Sequence, residues 1–347
     1  MYKKIFMGIA AVAALTLVSC SSDDLNSLSD NSSKNEAISF DGYLGRSAVA
    51  VNGSRGSVLD LPALKGENGG FGVFGNYSEG TTTAYGANLF KNEQVTYSSS
   101  NTTSTKWAYK NTKYWSTKGH IDFLAYAPFD NSKTLSETKI NFTVNSDITA
   151  QKDLLWANAA NKTMADNPIK FTFNHALAKI GYAVKKGVTD DNVTITLNKI
   201  TLAGSETDPK VGAFHTTGTI DLSKDLINTE NQTALWTDCS GEQSFTWSSG
   251  FPNVTSSSFS AGSDYLFVIP QNFSTGKLFV IVDYTISYKD GVTAEMKSTV
   301  SNPIVKNFEQ GKAYTINLTL GLTPIEFNVT TVEGWTDTNQ GEINSWN

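Results

Sequence analysis

Three side-chain types that could do chemistry are scarce in this chain: histidine (His120, His175, His215), cysteine (Cys20, Cys239) and arginine (Arg46, Arg55). Imidazoles and thiols can hold a metal or act as base and nucleophile, but only when several converge. His175 is the strongest candidate, flanked by aromatic residues in IKFTFNHALAKIGYAVK (169–185). It shares a period-two apolar face with Phe171, Phe173 and Leu177. His120 and His215 are far away in the chain, and no Cys or acidic residue stands at ligand spacing. The residue therefore reads as a hydrogen-bonded core histidine. Asp122, Asp153, Asp264, Asp283 and Glu295 fall singly in strands or turns, without the facing pair a glycosidase needs. No nucleophile elbow, phosphate loop or zinc spacing is present. No catalytic residue, metal ligand or cofactor is expected.

Cys20 is different, because its surroundings specify a chemistry. Lys3 and Lys4 precede an apolar run (5–16), and Leu17-Val18-Ser19-Cys20 follows. This is a signal peptide, and its end resembles a bacterial lipobox, in which cleavage before the cysteine leaves a thiol that carries diacylglycerol. The plainer alternative is a free thiol or a disulfide to Cys239. Several acyl chains at ~0.8 kcal/mol per buried methylene anchor a protein stably. Ser21-Ser22-Asp23-Asp24 resembles the signal that marks lipoproteins for surface export. Residues 20–36 are too polar for a core and read as a tether.

Arg46 and Arg55 are the only arginines among 347 residues. An arginine-specific protease would cut before Ser47 or Gly56 and nowhere else. The alternative is a pair of solvated loop charges. Both follow a short alternating strand (37–44) that carries Ile38 and Phe40.

The elements that must position these residues are strands. Charged residues are 17% and hydrophobic ones 39% of the chain, and its Thr, Ser, Asn, Phe and Tyr suit strands and turns. Alternating segments are expected at 71–77, 106–115, 120–129, 138–146, 193–203, 213–222, 243–247, 264–269, 277–288, 293–300, 313–320 and 325–332. The parity of 169–185 changes near Ala178, which predicts one long bent strand opening a second domain. Regular short strands without a convincing amphipathic helix predict an all-β sandwich fold. The length predicts two domains: 37–157 and 168–347, joined by a linker at 158–167. A net charge of −6 with no basic cluster excludes nucleic acid. Beyond the N-terminus no segment has the roughly 20 apolar residues that span a bilayer. Trp107, Tyr109, Tyr114 and Trp115 suggest either a sugar platform or core filling.

Taken in order, these stretches resemble the fimbrillin family, the type V pilins and fimbrillin-like lipoproteins. The matching blocks are the lipobox at Cys20, Ile38–Phe40 before the arginines, GFGVFGNY (70–77), YW (114–115) with IDFLAYAP (121–128), and DLLWA (153–157). FNHALAKIGYAV (173–184), YLFVIPQ (265–271), FEQGKAYTINLTL (308–320) and IEFNVTTVEGW (325–335) complete them. The resemblance implies two tandem transthyretin-like β-sandwich domains after a lipoprotein signal peptide, and a location at the outer membrane, cell surface or fimbrium. It also implies other pilin subunits as partners and a host or bacterial surface receptor. In polymerising members, cleavage after an arginine removes the first strand, and a strand from the next subunit fills the groove. Ile325, Phe327 and Val329 alternate as a donated strand must, and equally as a strand completing its own domain would. The competing function is a surface glycan-binding lipoprotein, resting on the chain's seven tryptophans.

Overall fold

The computed structural model describes residues 36–44, 59–66, 69–224, 235–256, 258–273, 278–299, 306–322 and 326–332. Its elements are almost all strands: β1 Phe40–Leu44, then the single helical turn α1 Leu61–Lys65, β2 Phe71–Ser78, β3 Phe90–Tyr97 and β4 Trp107–Ala108. They continue with β5 His120–Ala127, β6 Lys139–Thr143, β7 Leu155–Lys162, β8 Ile169–His175, β9 Ala178–Lys186 and β10 Val193–Ala203. Next come β11 Thr217–Asp221, β12 Trp236–Ser240, β13 Phe245–Trp247, β14 Ser260–Ala261, β15 Leu266–Val268 and β16 Gln271–Asn272. The last are β17 Phe279–Tyr288, β18 Thr293–Thr299, β19 Asn307–Phe308, β20 Ala313–Leu320 and β21 Glu326–Val332. The fold is all-β. No helix among the described residues is long and apolar enough to cross a membrane.

The first sheet has the order β1-β8-β7-β5-β2-β3-β4. Its central strand β5 is buried throughout, because its two faces feed two cores. Ile121, Phe123, Ala125 and Ala127 enter a cluster built from residues 38 to 173, while Leu124 and Tyr126 enter a larger one that runs through β9, β10, β17 and β20. A strand covered on both faces cannot alternate polar with apolar.

Its one buried carboxylate on the second face, Asp122, is satisfied by the backbone N–H groups of Ala84 at 2.7 Å and Asn161 at 2.6 Å and faces His120 Nε2 at 3.1 Å. β7 runs on through Lys162, into the stretch whose composition reads as linker.

The stretch 169–185 is not one bent strand. β8 stays in the first sheet, with Ile169, Phe171, Phe173 and His175 buried and Lys170 and Thr172 exposed. The chain then crosses at Ala176-Leu177, where the Ala176 N–H reaches the Leu154 carbonyl and its own carbonyl accepts the Trp236 indole N–H at 2.9 Å. β9 starts the next sheet, β14-β9-β20-β21, with Ile180, Tyr182 and Val184 in the larger core. The parity change therefore marks a change of sheet. β6 likewise pairs with β11, so its partner lies in the C-terminal half. The strand expected over 106–115 is reduced to β4 and an isolated bridge at Tyr114.

Candidate functional site

The site is the slot held by β1. Along one edge β1 pairs with β8 in parallel, Phe40 opposite Ile169, Gly42 opposite Phe171 and Leu44 opposite Phe173. On the other side, just ahead of β1, the Ile38 N–H donates to the Lys113 carbonyl at 2.8 Å and the Trp115 N–H donates to the Glu36 carbonyl at 2.9 Å. Residues 36–44 thus close the gap between β8 and the segment after β4, and the first sheet wraps around its own core. Closing a sheet removes exposed edges.

Ile38 and Phe40 are 1% exposed. The rings of Phe90, Tyr109, Phe123 and Phe171 lie 5.4 to 5.8 Å from Phe40, and Phe171 stacks on it at 19°. Each such buried side chain contributes ~1.5–3 kcal/mol. Gly42 follows on the same face against Phe71, Phe173 and Trp107.

Polar groups fix the register. The Tyr109 hydroxyl donates to the Ile38 carbonyl at 2.8 Å and accepts the Lys113 N–H at 3.1 Å. Burial pushes this phenol up, against the pull of the Lys113 backbone bond. Asn167 Oδ1 accepts the Ser39 N–H at 2.9 Å and its Oγ–H at 3.0 Å, while Asn167 Nδ2 donates to Glu36 Oε1 at 2.6 Å. No local pattern announces the Asn167 bonds, which join residues about 130 positions apart. After β1 the described chain resumes at Leu59, and Leu59 and Leu64 sit in the same core as Phe40.

Arg46, Ser47, Arg55 and Gly56 lie between those two points, outside the described residues, as do Cys20 and Ile325. Phe327 supplies backbone to β21 opposite Leu318, and Val329 pairs with Ile316 and packs against the larger core. β21 is an edge strand, bonded only to β20 among the described strands.

His175 is buried with Nδ1 2.7 Å from Asp153 Oδ2, so the core-histidine reading holds and its acidic partner comes from β8's neighbour in the fold. Among the described residues no group of three or more His, Cys, Asp or Glu could hold a metal. Trp107, Trp115, Trp156, Trp236 and Trp247 are all buried, while Trp335 and Trp346 lie outside the described residues; of the set Trp107, Tyr109, Tyr114 and Trp115, Tyr114 alone is strongly exposed.

The family model described as fimbrillin-like matches residues 65–335. No curated protein matches the chain. Among solved structures, a fimbrial protein from Bacteroides vulgatus ATCC 8482 is 22% identical with a TM-score of 0.64, over 86% of this chain and 99% of that one. A candidate cell adhesion protein from Bacteroides ovatus ATCC 8483 is 17% identical with a TM-score of 0.51, over 88% of this chain and 100% of that one. At these identities the likeness establishes the fold, and the family follows from the model that spans most of the sequence. The two-core β architecture and the order of the strand motifs accord with that match: the chain belongs to the fimbrillin-like family.

Proposed function

We propose that this protein is a fimbrial subunit or fimbrillin-like adhesive lipoprotein, made of two tandem transthyretin-like domains, that assembles by exchanging its first strand. Cys20 carries the lipid that holds it at the outer membrane surface. Cleavage after Arg46 or Arg55 frees β1 from the chain, and a strand from another subunit takes its place. The chain's own C-terminal strand, with Ile325, Phe327 and Val329 alternating, is donated in turn. The reading assigns no catalytic step and no cofactor.

The observation that carries it is the position of β1. It is a short strand that fills an otherwise complete aromatic core, it pairs with β8 while residues 36–38 just ahead of it bond to the segment after β4, and the chain's only arginines follow it within eleven residues of Leu44. Losing it would expose apolar core and unpaired backbone together, a strong driver of strand addition. β21 is suited to donation because among the described strands it pairs on one edge only. The test is electron microscopy of purified protein before and after arginine-specific proteolysis, beside an Arg46→Ala/Arg55→Ala double variant. Filaments from the cleaved parent and none from the variant are expected. A cleaved parent that stays monomeric would count against assembly by this route.

A further inference from the structure

The slot of β1 is not uniformly wide. At Ile38 and Phe40 it holds large side chains, but at Gly42 three rings crowd the backbone. A Cβ there would stand 3.0 Å from Phe71 Cε1 and 3.5 Å from the rings of Phe173 and Trp107. Phe71 cannot move aside, since it is fully buried and packed against Trp107 at 5.0 Å, Phe173 at 5.2 Å and Phe171 at 5.7 Å between ring centroids. Interiors packed to this density resist added volume.

We infer that the groove vacated by β1 selects its partner by size, accepting a strand with two large apolar residues at alternate positions followed by glycine. The pattern is large, large, small at the sites of Ile38, Phe40 and Gly42. The constraint is set by the rings, so it applies whichever way the incoming strand runs. Ile325, Phe327 and Val329 do not satisfy it. Aligned on Ile38 and Phe40, they put Val329 over Phe71, and in reverse they put Ile325 there. The partner that fits this groove best is therefore a subunit whose donor strand carries glycine or, less well, alanine at that place, and the strand 325–329 of a second copy fits it less well. This rests on the reading of β1 as a replaceable strand.

Two measurements test it. In the intact chain, Gly42→Val should lower the melting temperature clearly more than Gly42→Ala; equal melting of parent and both variants would overturn the size rule. In full-length protein nicked by an arginine-specific protease, labelled peptides compete for the slot. The peptide 36–46 should be taken up, its Gly42→Val form at least about tenfold more weakly, as overpacking predicts. A peptide of residues 323–331 should enter poorly and its Val329→Gly form well. Equal uptake of the glycine and valine peptides overturns the size rule while strand replacement stands. Uptake of no peptide at all overturns replacement, and this inference with it.

Discussion

His175 Nδ1 lies 2.7 Å from Asp153 Oδ2, and the same oxygen accepts the backbone N–H of Leu59 at 3.2 Å. One buried carboxylate therefore ties the end of β8 to the point where the chain re-enters the core after the two arginines. Both partners are almost wholly excluded from water. On the proposed strand exchange, the clasp would belong to the part of the molecule that stays behind.

Asp153→Ala strips three buried donors, His175 and the Leu59 and Leu154 N–H groups, of their acceptor and should destabilise by roughly 1–3 kcal/mol. Asp153→Asn keeps a carbonyl oxygen in place and should lose less. Urea unfolding of the three proteins decides this; an alanine variant with the parent's midpoint would show the clasp to be idle.

Phe40→Ala should lower stability by roughly 3–5 kcal/mol, the range for emptying a buried aromatic site. Tyr43→Ala, on the same strand but 41% exposed, should change it by only about 0.5 kcal/mol or less. Equal effects of the two would mean that β1 does not fill the core.

Alkali should unfold the protein through its buried phenols. Burial pushes Tyr126 and Tyr314 each up to about 12, although backbone hydrogen bonds pull the other way. An unfolded tyrosine titrates near 10. Because the folded value is the higher one, this stability is fully present below pH ~10 and is lost as pH rises from there through about 12. Thermal melts should hold level to about pH 9 and fall beyond 10, less steeply in Tyr126→Phe. A melting temperature that stays flat past pH 11 would contradict the sign.

Cys20→Ala should abolish metabolic labelling with palmitate and leave an unprocessed precursor. Labelling that persists in the variant would place the lipid elsewhere.

The strands whose alternation is cleanest in the sequence are those with one wet face, although β5, buried on both faces, is also legible. β8 and β20 alternate cleanly because every second residue meets solvent or a partly covered surface. β3 escaped detection because Asn92 adopts a positive φ of 60° and the pairing with β2 slips between Val73 and Phe74, so Phe90 and Val95 are buried on opposite parities. The strand expected over 106–115 failed for another reason. Trp107, Tyr109 and Trp115 are drawn into the core and Tyr109 bonds the Ile38 carbonyl, so only Trp107-Ala108 forms a ladder and Tyr114 makes an isolated bridge. At the site, the apolar pattern of Ile38 and Phe40 could be read locally, while the small space at Gly42 depends on rings brought in from positions 71, 107 and 173. Long-range packing of that kind leaves no trace in the spacing of neighbouring residues.

The account turns on β1 leaving its slot, and a covalent lock tests that most directly. Tyr43 and Thr172 are opposite each other across the β1·β8 pair, and both are exposed. A Tyr43→Cys/Thr172→Cys disulfide would hold the strand in place without touching the core. After arginine-specific cleavage, electron microscopy should find filaments from the double variant only under reducing conditions. Filaments of equal number from the oxidised, locked protein would contradict strand exchange at this groove.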